Sequence, residues 1–568
     1  MPAKYFRTGD GCIILDATDP QRTTDFIVSE AIDPQAPTRD AETTAPKRAE
    51  PATPKDAAAV ILLRGASSSS DADRADAASA EGFGVPEVFL ARRSARLAFL
   101  GGFYAFPGGQ RDASDAEVRV EGYAGDDADV PSMMACAARE LFEELGVLVA
   151  RGMEKLTRGQ LASLLDDFQS ERMSFVELLD HYGLHLDARD FRFVGRWVTP
   201  PFSPRRFDTL FFMADCPRKQ EPRILTGEFE TGEWMRADVA VERWQRGEIL
   251  VAPPVLHSLK VLAGGLTADV VERFLSVPQA RREPVRRIEF APGFICFPVR
   301  TPTKPPFTTT NCYIVGGREL VVIDPASPYE DEQGALASCI DELRSEGRSV
   351  RELILTHLHP DHIGGVEALR AHLGGDVRVA AHRLTAEALE GKIRIERHIE
   401  DGEMIELAGE PRIALRAMHT PGHARGHLCF YDEASGTLIT GDNIVGLGSS
   451  IIDPPEGNVG DYLRSLERLR DLPKLRLLLG AHGPAIGSPR EKIDEYIAHR
   501  IERERNILAA VRAGATTPSE IVARVYTDVH PKMHSMAERS VIAHLEKLQT
   551  DGLVEHESDA YRALSQEN

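Results

Sequence analysis

Residues 356–362, THLHPDH, place three imidazoles and a carboxylate within six positions, directly after the apolar run ELIL and just before a Gly-Gly turn. Such a segment needs a strand end that opens into a helix start. At a strand end His357 and His359 face one way, while the turn redirects Asp361 and His362. Imidazole nitrogens suit zinc. His423 in HTPGHARGH, Asp442 in LITGDN and His482 in LLLGAHGP also stand just beyond apolar runs. Seven metal-type residues at strand ends separated by helices fit a dinuclear site. His419 and His427 lie in the same stretch and read either as supports for the ligands or as structural residues.

The rhythm around these residues is that of an α/β region. TNCYIVGG, ELVVIDPA, VRVAAH, IALRAMHT and TLITGD are short apolar strands that end in polar residues, with EQGALASCIDELRSEG and GGVEALRAHL as intervening helices. The stretch from about 291 to 488 resembles the metallo-β-lactamase superfamily. That resemblance implies an αββα sandwich in which His357, His359 and His423 bind one Zn²⁺ and Asp361, His362 and His482 bind a second. Asp442 would bridge the two ions, Asp361 would also serve catalysis, and Asp324 in VVIDPA would support the site. Two ions about 3.5–4 Å apart lower the pKa of a shared water toward 7, so the expected chemistry is hydrolysis.

The tail sharpens the resemblance. Thr517-Pro518-Ser519-Glu520 has capping-box spacing with proline at the first helical position. HSMAERSVIAHLEKLQTDG and LVEHESDAYRAL then complete a helix and hairpin. With TTTNCYIVGG and the long segment after Asp442, this is similar to the lactamase-β-like subgroup with a C-terminal winged helix. That subgroup includes thioesterases acting on carrier-bound acyl chains and a single-stranded RNA endonuclease. Glu538 and Glu546 beside Arg539 and Lys547 make a poor phosphate-reading surface. The tail therefore reads as a packing or substrate-lid module, and the expected substrate is a small acyl thioester of the acyl-CoA kind. RNA is the alternative, disfavoured by charge.

The first half carries a different constellation. In RELFEELGV, Glu140, Glu143 and Glu144 fall at i, i+3 and i+4 and share a helix face. Like charges this close call for a divalent cation, and oxygen ligands favour Mg²⁺ or Mn²⁺. Phe106-Pro107-Gly108-Gly109 lies upstream. PGG followed by this helix resembles a Nudix box, which implies an α/β/α sandwich and pyrophosphate hydrolysis. By that resemblance Gly109, Glu140, Glu143 and Glu144 belong to the metal site, Arg139 orients the cluster, and Glu228 is a remote carboxylate. The chain departs from the box in two ways. Asp115 replaces its glutamate, and sixteen extra residues, including AGDDAD, precede Arg139. An enlarged box is also a feature of coenzyme A diphosphatases, whose signature before FPGG is here only partial. On the alternative reading, the Nudix half is a nucleotide-binding sensor.

A chain of 568 residues holds several domains at roughly 100–200 residues each. The expected division is a segment and flexible linker over 1–55, a Nudix-like domain over 56–280, a metallo-β-lactamase-like domain over 281–488 and a winged-helix-like module over 489–568. RREPVRRIEF near 281–290 reads as a polar bridge. The net charge of −21 argues against nonspecific binding to nucleic acid or anionic membranes. No apolar run reaches membrane-spanning length. Seven scattered cysteines without a CxxC pair suggest a reducing compartment, most simply the cytoplasm. A homodimer is compatible with all of this.

Overall fold

The computed structural model describes residues 5–7, 12–14, 51–64, 84–97, 99–203, 205–282, 285–527, 534–558 and 560–564. The 33–55 linker and the serine-rich loop at 66–82 fall wholly or largely outside them.

The first half is built on a sheet of β1 (Lys55–Arg64), β2 (Glu87–Arg93), β3 (Arg192–Val198), β4 (Phe207–Asp215) and β5 (Phe229–Arg236), in the order β5-β2-β1-β4-β3. β1 and β4 are parallel and the other neighbours antiparallel. β1 and β2 pair antiparallel through Leu63–Val88 and Arg64–Glu87. β1 is apolar on both faces because both are covered. Ala58, Val60 and Leu62 pack on helix α1 (Val130–Leu145), whose Ala135, Ala138 and Leu141 are fully buried. Ala59, Ile61 and Leu63 face the other way, toward helices α2 (Ala237–Gln245) and α3 (Pro253–Ala263).

The second half has two stacked sheets. In the first, β6 (Ile288–Ala291), β7 (Phe294–Arg300), β8 (Thr309–Gly316), β9 (Glu319–Ile323), β10 (Ser349–Ile354), β11 (Arg378–Ala381) and β12 (Arg397–His398) lie in sequence order, antiparallel up to β9 and parallel thereafter. In the second, β13 (Met404–Leu407), β14 (Ile413–His419), β15 (Leu428–Asp432), β16 (Thr437–Gly441) and β17 (Leu477–Gly480) do the same, with β16 and β17 parallel. β8 shows the period-2 logic. Tyr313 and Val315 enter the core between the sheets, and Cys312 and Ile314 face the layer of helices α4 (Glu330–Ser345) and α5 (Val366–His372). The far face of the second sheet packs on helix α6 (Val459–Arg470), completing an αββα sandwich.

One continuous core joins the halves. Trp244 of α2, Leu259 of α3 and Ile61 of β1 share it with Phe290, Phe294 and Phe430, and the Trp244 indole N–H donates to the Phe290 carbonyl at 3.4 Å. This corrects the reading of 281–290 as a polar bridge. Val285, Ile288 and Phe290 are buried, while Arg286 reaches out to Glu332 of α4 and Arg287 to Glu346 at that helix's C-terminal cap. The arginines that make the segment look solvated fasten it instead.

The chain closes with helix α7 (Pro489–Arg512), helices α8 (Pro518–Val525) and α9 (His534–Thr550), and the hairpin of β18 (Val554–Glu557) and β19 (Ala560–Ala563). The capping box at Thr517 and Glu520 forms as its spacing predicts.

Candidate functional site

The strand ends of the sandwich bring the seven metal-type residues together. Two groups each converge within 4.8 Å: His357, His359, His423 and Asp442, and Asp361, His362 and His482. In the first, His357 Nε2 lies 2.9 Å from His359 Nδ1 and 3.3 Å from His423 Nε2, and the last two nitrogens are 3.0 Å apart. Nitrogens at the corners of a tetrahedron with zinc bonds near 2.05 Å would be about 3.3 Å apart. Asp442 joins the groups, with one oxygen 3.4 Å from His362 Nε2 and 3.3 Å from His482 Nε2, and the other 3.5 Å from His423 Nε2. His362 Nε2 and Asp442 Oδ1 are buried and lack a hydrogen-bond partner. Converging lone pairs and orphaned buried atoms fit a divalent metal pair.

The outer nitrogens are spoken for, which fixes how each ring is turned. His423 Nδ1 donates to the Ile451 carbonyl at 2.7 Å and His482 Nδ1 to the Thr309 carbonyl at 2.9 Å. His362 Nδ1 donates to Asp324 at 2.8 Å. Thr356 Oγ1 donates to the same carboxylate at 2.6 Å and accepts from His357 Nδ1 at 3.0 Å. Asp324 is thus the hub under the first motif, and its backbone sits in the left-handed region at φ 53°. Asn311 of the TTTNCYIVGG segment donates to the carbonyls of Gly480 and Gly483, both at 2.9 Å, and so holds the loop bearing His482.

Burial, reinforced by the neighbouring imidazoles, holds His357 well below its ordinary pKa. Burial lowers His359 as well, and pushes His423 down to about 4. These rings are neutral at pH 7, the form in which an imidazole can bind a metal. For His362 and His482 burial acts downward too, but the carboxylates beside them, Asp442 with Asp324 at His362 and Asp442 with Asp361 at His482, together outweigh it and raise both.

Of the two undecided histidines, His427 is a support. Its Nε2 accepts the Asp442 N–H at 3.2 Å. Gly441, at φ 49°, lies so close that an added Cβ would stand 2.6 Å from that nitrogen. His419 is remote from the cluster, stacked on His382 with centroids 4.0 Å apart.

A cavity of about 760 Å³ opens on the cluster. Its walls include features that the motifs do not reveal. Phe307 stacks on His482 at 5.1 Å, residues 447–456 form one side, and α7 supplies Arg500 and Arg503. Tyr526, Met536, Ala537 and Ser540 of the C-terminal module also line it.

The carboxylate helix of the first half is arranged differently. Arg139 makes a two-pronged bond to Asp115, Nε to Oδ1 at 2.8 Å and a terminal nitrogen to Oδ2 at 3.0 Å. It also donates to Glu140 at 2.8 Å and lies 3.5 Å from Glu143. Asp115 is thus the main anchor of Arg139 despite the insertion between them. Glu144 accepts the Gly108 N–H at 2.9 Å. A Cβ on Gly109 would stand 2.5 Å from the Glu140 carboxyl carbon, so any side chain there would have to displace that carboxylate. Glu228 pairs with Arg93 at 2.6 Å. Burial pushes Glu140 up to about 7, against the pull of Arg139. Burial, then the charges of Glu228 and Glu140, raise Glu144 well above the usual carboxylate range. Buried acids that repel one another suit a divalent cation, yet among the described residues they do not converge as the histidines do.

Comparison with known proteins finds a family pattern in each part of the chain. The pattern of the NUDT19 Nudix domain matches residues 120–262, that of the metallo-beta-lactamase superfamily residues 305–482, and that of the beta-lactamase associated winged helix domain residues 517–562. The Beta-lactamase-like protein 2 homolog of Caenorhabditis elegans is 29% identical over 255 residues, 44% of this chain and 83% of that protein. Atrochrysone carboxyl ACP thioesterase AgnL7 of Paecilomyces divaricatus is 30% identical over 303 residues, covering 51% and 90%. A solved NUDIX hydrolase from Alicyclobacillus acidocaldarius is 30% identical, with a TM-score of 0.30, covering 40% of this chain and 98% of that one. The chain is a hydrolase that belongs to the metallo-β-lactamase superfamily, with a Nudix domain before that domain and a β-lactamase-associated winged helix after it.

Proposed function

We propose that the chain is a dizinc thioesterase with a second, Nudix-type site for a nucleoside-diphosphate-linked moiety such as that of coenzyme A. The units would be 56–280, 281–488 and 489–568, preceded by the segment 1–55. The cavity over the seven-residue cluster carries this reading, because the C-terminal module lines its wall and gives it the volume of a small-molecule site. His357, His359 and His423 would hold one Zn²⁺, Asp361, His362 and His482 the other, and Asp442 both. Bound ions would polarise the thioester carbonyl and activate water at neutral pH. The chain's own part is to keep the imidazoles neutral and turned inward, through Asp324 and the carbonyls of Thr309 and Ile451, and to shield the site from bulk water.

In the first half, Glu140, Glu143 and Glu144 would hold Mg²⁺ or Mn²⁺, with Glu228 nearby and Gly109 leaving the space. Arg139, anchored by Asp115, would orient the acids. The basic residues of α9 speak for a packed lid rather than an RNA surface. Arg539 is tied to Asp453 at 2.6 Å, and Lys547 to Glu504 at 3.0 Å and Asp551 at 2.7 Å. Cys136, Cys216, Cys296, Cys312, Cys339 and Cys429 are free thiols, in keeping with a reducing compartment such as the cytoplasm. No helix among the described residues is long and apolar enough to cross a membrane.

The test is a hydrolysis screen of acyl-CoA thioesters, free coenzyme A and single-stranded RNA with wild type, Asp361→Ala and Glu143→Gln. Thioester turnover should vanish in the first variant and pyrophosphate cleavage in the second. Thioester turnover that survives Asp361→Ala would refute the dizinc assignment.

A further inference from the structure

The wall of the cavity formed by α7 carries arginines that pair with no carboxylate among the described residues. Arg500 is only 3% exposed. One terminal nitrogen donates to the Ser450 carbonyl, the guanidinium lies 5.4 Å from the centre of the Tyr462 ring, and Nε has no partner. Arg503, one turn on, donates to the Val525 carbonyl at 3.2 Å and lies 4.2 Å over the Tyr526 ring. Lys304, from the loop before β8, lines the same cavity. None of the three meets a carboxylate among the described residues. Asp453 and Glu456, acids on the wall outside the histidine cluster, are turned to Arg539 at 2.6 Å and to the Arg425 N–H at 3.4 Å.

A buried guanidinium with only carbonyl and ring partners is incompletely compensated, since those groups offset part of its desolvation and carry no opposite charge. The position of Arg500 ties it to the reaction centre. The Ser450 residue whose carbonyl it holds also places its hydroxyl 3.2 Å from His423 Nδ1. An anion at this wall would lie beside the metal-type cluster, inside the same cavity.

We propose that Arg500, Arg503 and Lys304 form an anion subsite that selects thioesters bearing a negative group, on either the acyl or the thiol side, and orients them toward the histidine cluster. This rests on the thioesterase reading and adds to it the charge of the substrate. Charge-assisted hydrogen bonds of this kind correspond to roughly 10- to 100-fold in kcat/KM.

The test uses the full-length zinc-loaded protein and four substrates: hexanoyl and adipoyl thioesters, each on N-acetylcysteamine and on 4′-phosphopantetheine. Wild type should prefer the adipoyl ester if the anion belongs to the acyl side, or phosphopantetheine if it belongs to the thiol side. In Arg503→Met with Lys304→Met that preference ratio should collapse toward one. Arg500→Lys should lower it less, and provides a milder probe of the buried position. Equal rates for all four esters, or a ratio unchanged in the double variant, would overturn the subsite. If no ester is cleaved, the thioesterase reading itself fails. The subsite is then judged by calorimetry with the thioether analogue of the adipoyl ester and its methyl ester. Tighter binding of the free acid, weakened in Arg503→Met, sustains it, and equal affinity overturns it. Cleavage of single-stranded RNA slowed by Arg503→Met, without discrimination between the thioethers, would likewise overturn the assignment to thioesters.

Discussion

The two candidate metal sites solve opposite electrostatic problems. In the second half burial keeps His357, His359 and His423 neutral, so these three imidazoles can pack within 3.3 Å of one another without repulsion. In the first half the donors are carboxylates, which cannot be crowded together at pH 7 unless something positive stands among them. Arg139 fills that role by engaging Asp115 and Glu140 and approaching Glu143. A histidine site can therefore be preassembled by the fold, whereas a carboxylate site is held open by its own guanidinium and completed by the cation.

The largest test of that contrast is on activity. Asp361→Ala should lower thioester kcat/KM roughly 1,000-fold, several kcal/mol of lost carbonyl polarisation, and leave pyrophosphate cleavage untouched. Parallel loss of both activities would show that the sites are not independent. Asp115→Asn takes from a buried arginine its two-pronged ionic partner, the two side chains being 1% and 11% exposed, and leaves it only Glu140 and Glu143. It should destabilise the fold by about 3–5 kcal/mol in denaturant titrations. Asp324→Asn, by contrast, removes an outer partner of a metal-type histidine. Zinc affinity should fall about 10- to 100-fold in competition with a chromophoric chelator. If Asp324→Asn unfolds the protein while Asp115→Asn is silent, the contrast is reversed.

The smallest expected effect is a pH dependence of stability. His382, buried against His419, is pushed down to about 4 from 6.5, by burial and then by that neighbour. The folded state therefore binds this proton less readily than the unfolded chain. Unfolding takes it up between pH 6.5 and 4, so stability is full above 6.5 and falls as pH drops through that window. The melting temperature of His382→Gln should fall less steeply there than that of wild type.

The histidine site is legible in the sequence because each donor stands at the end of an apolar run, and strand ends of a sandwich converge. The carboxylate helix is legible for the same local reason, three acids at helical spacing. Arg500 and Arg503 are not, because HRIERERN has the alternating charge of a solvated helix. Their place on the cavity wall depends on residues 447–456 and on the C-terminal module, which no local period encodes. The junction at 281–290 misleads for a related reason, since its four arginines mask Val285, Ile288 and Phe290, which join the core. Long-range packing decides both cases.

Metal stoichiometry of the full-length protein, by elemental analysis after zinc loading and gel filtration, tests the preassembled site most directly. Two equivalents of zinc in wild type, two in Glu140→Gln with Glu144→Gln, and about one in Asp361→Ala with His482→Ala would bear out a dinuclear histidine site separate from the carboxylate helix. A single equivalent in wild type, or two that survive Asp361→Ala with His482→Ala, would contradict it.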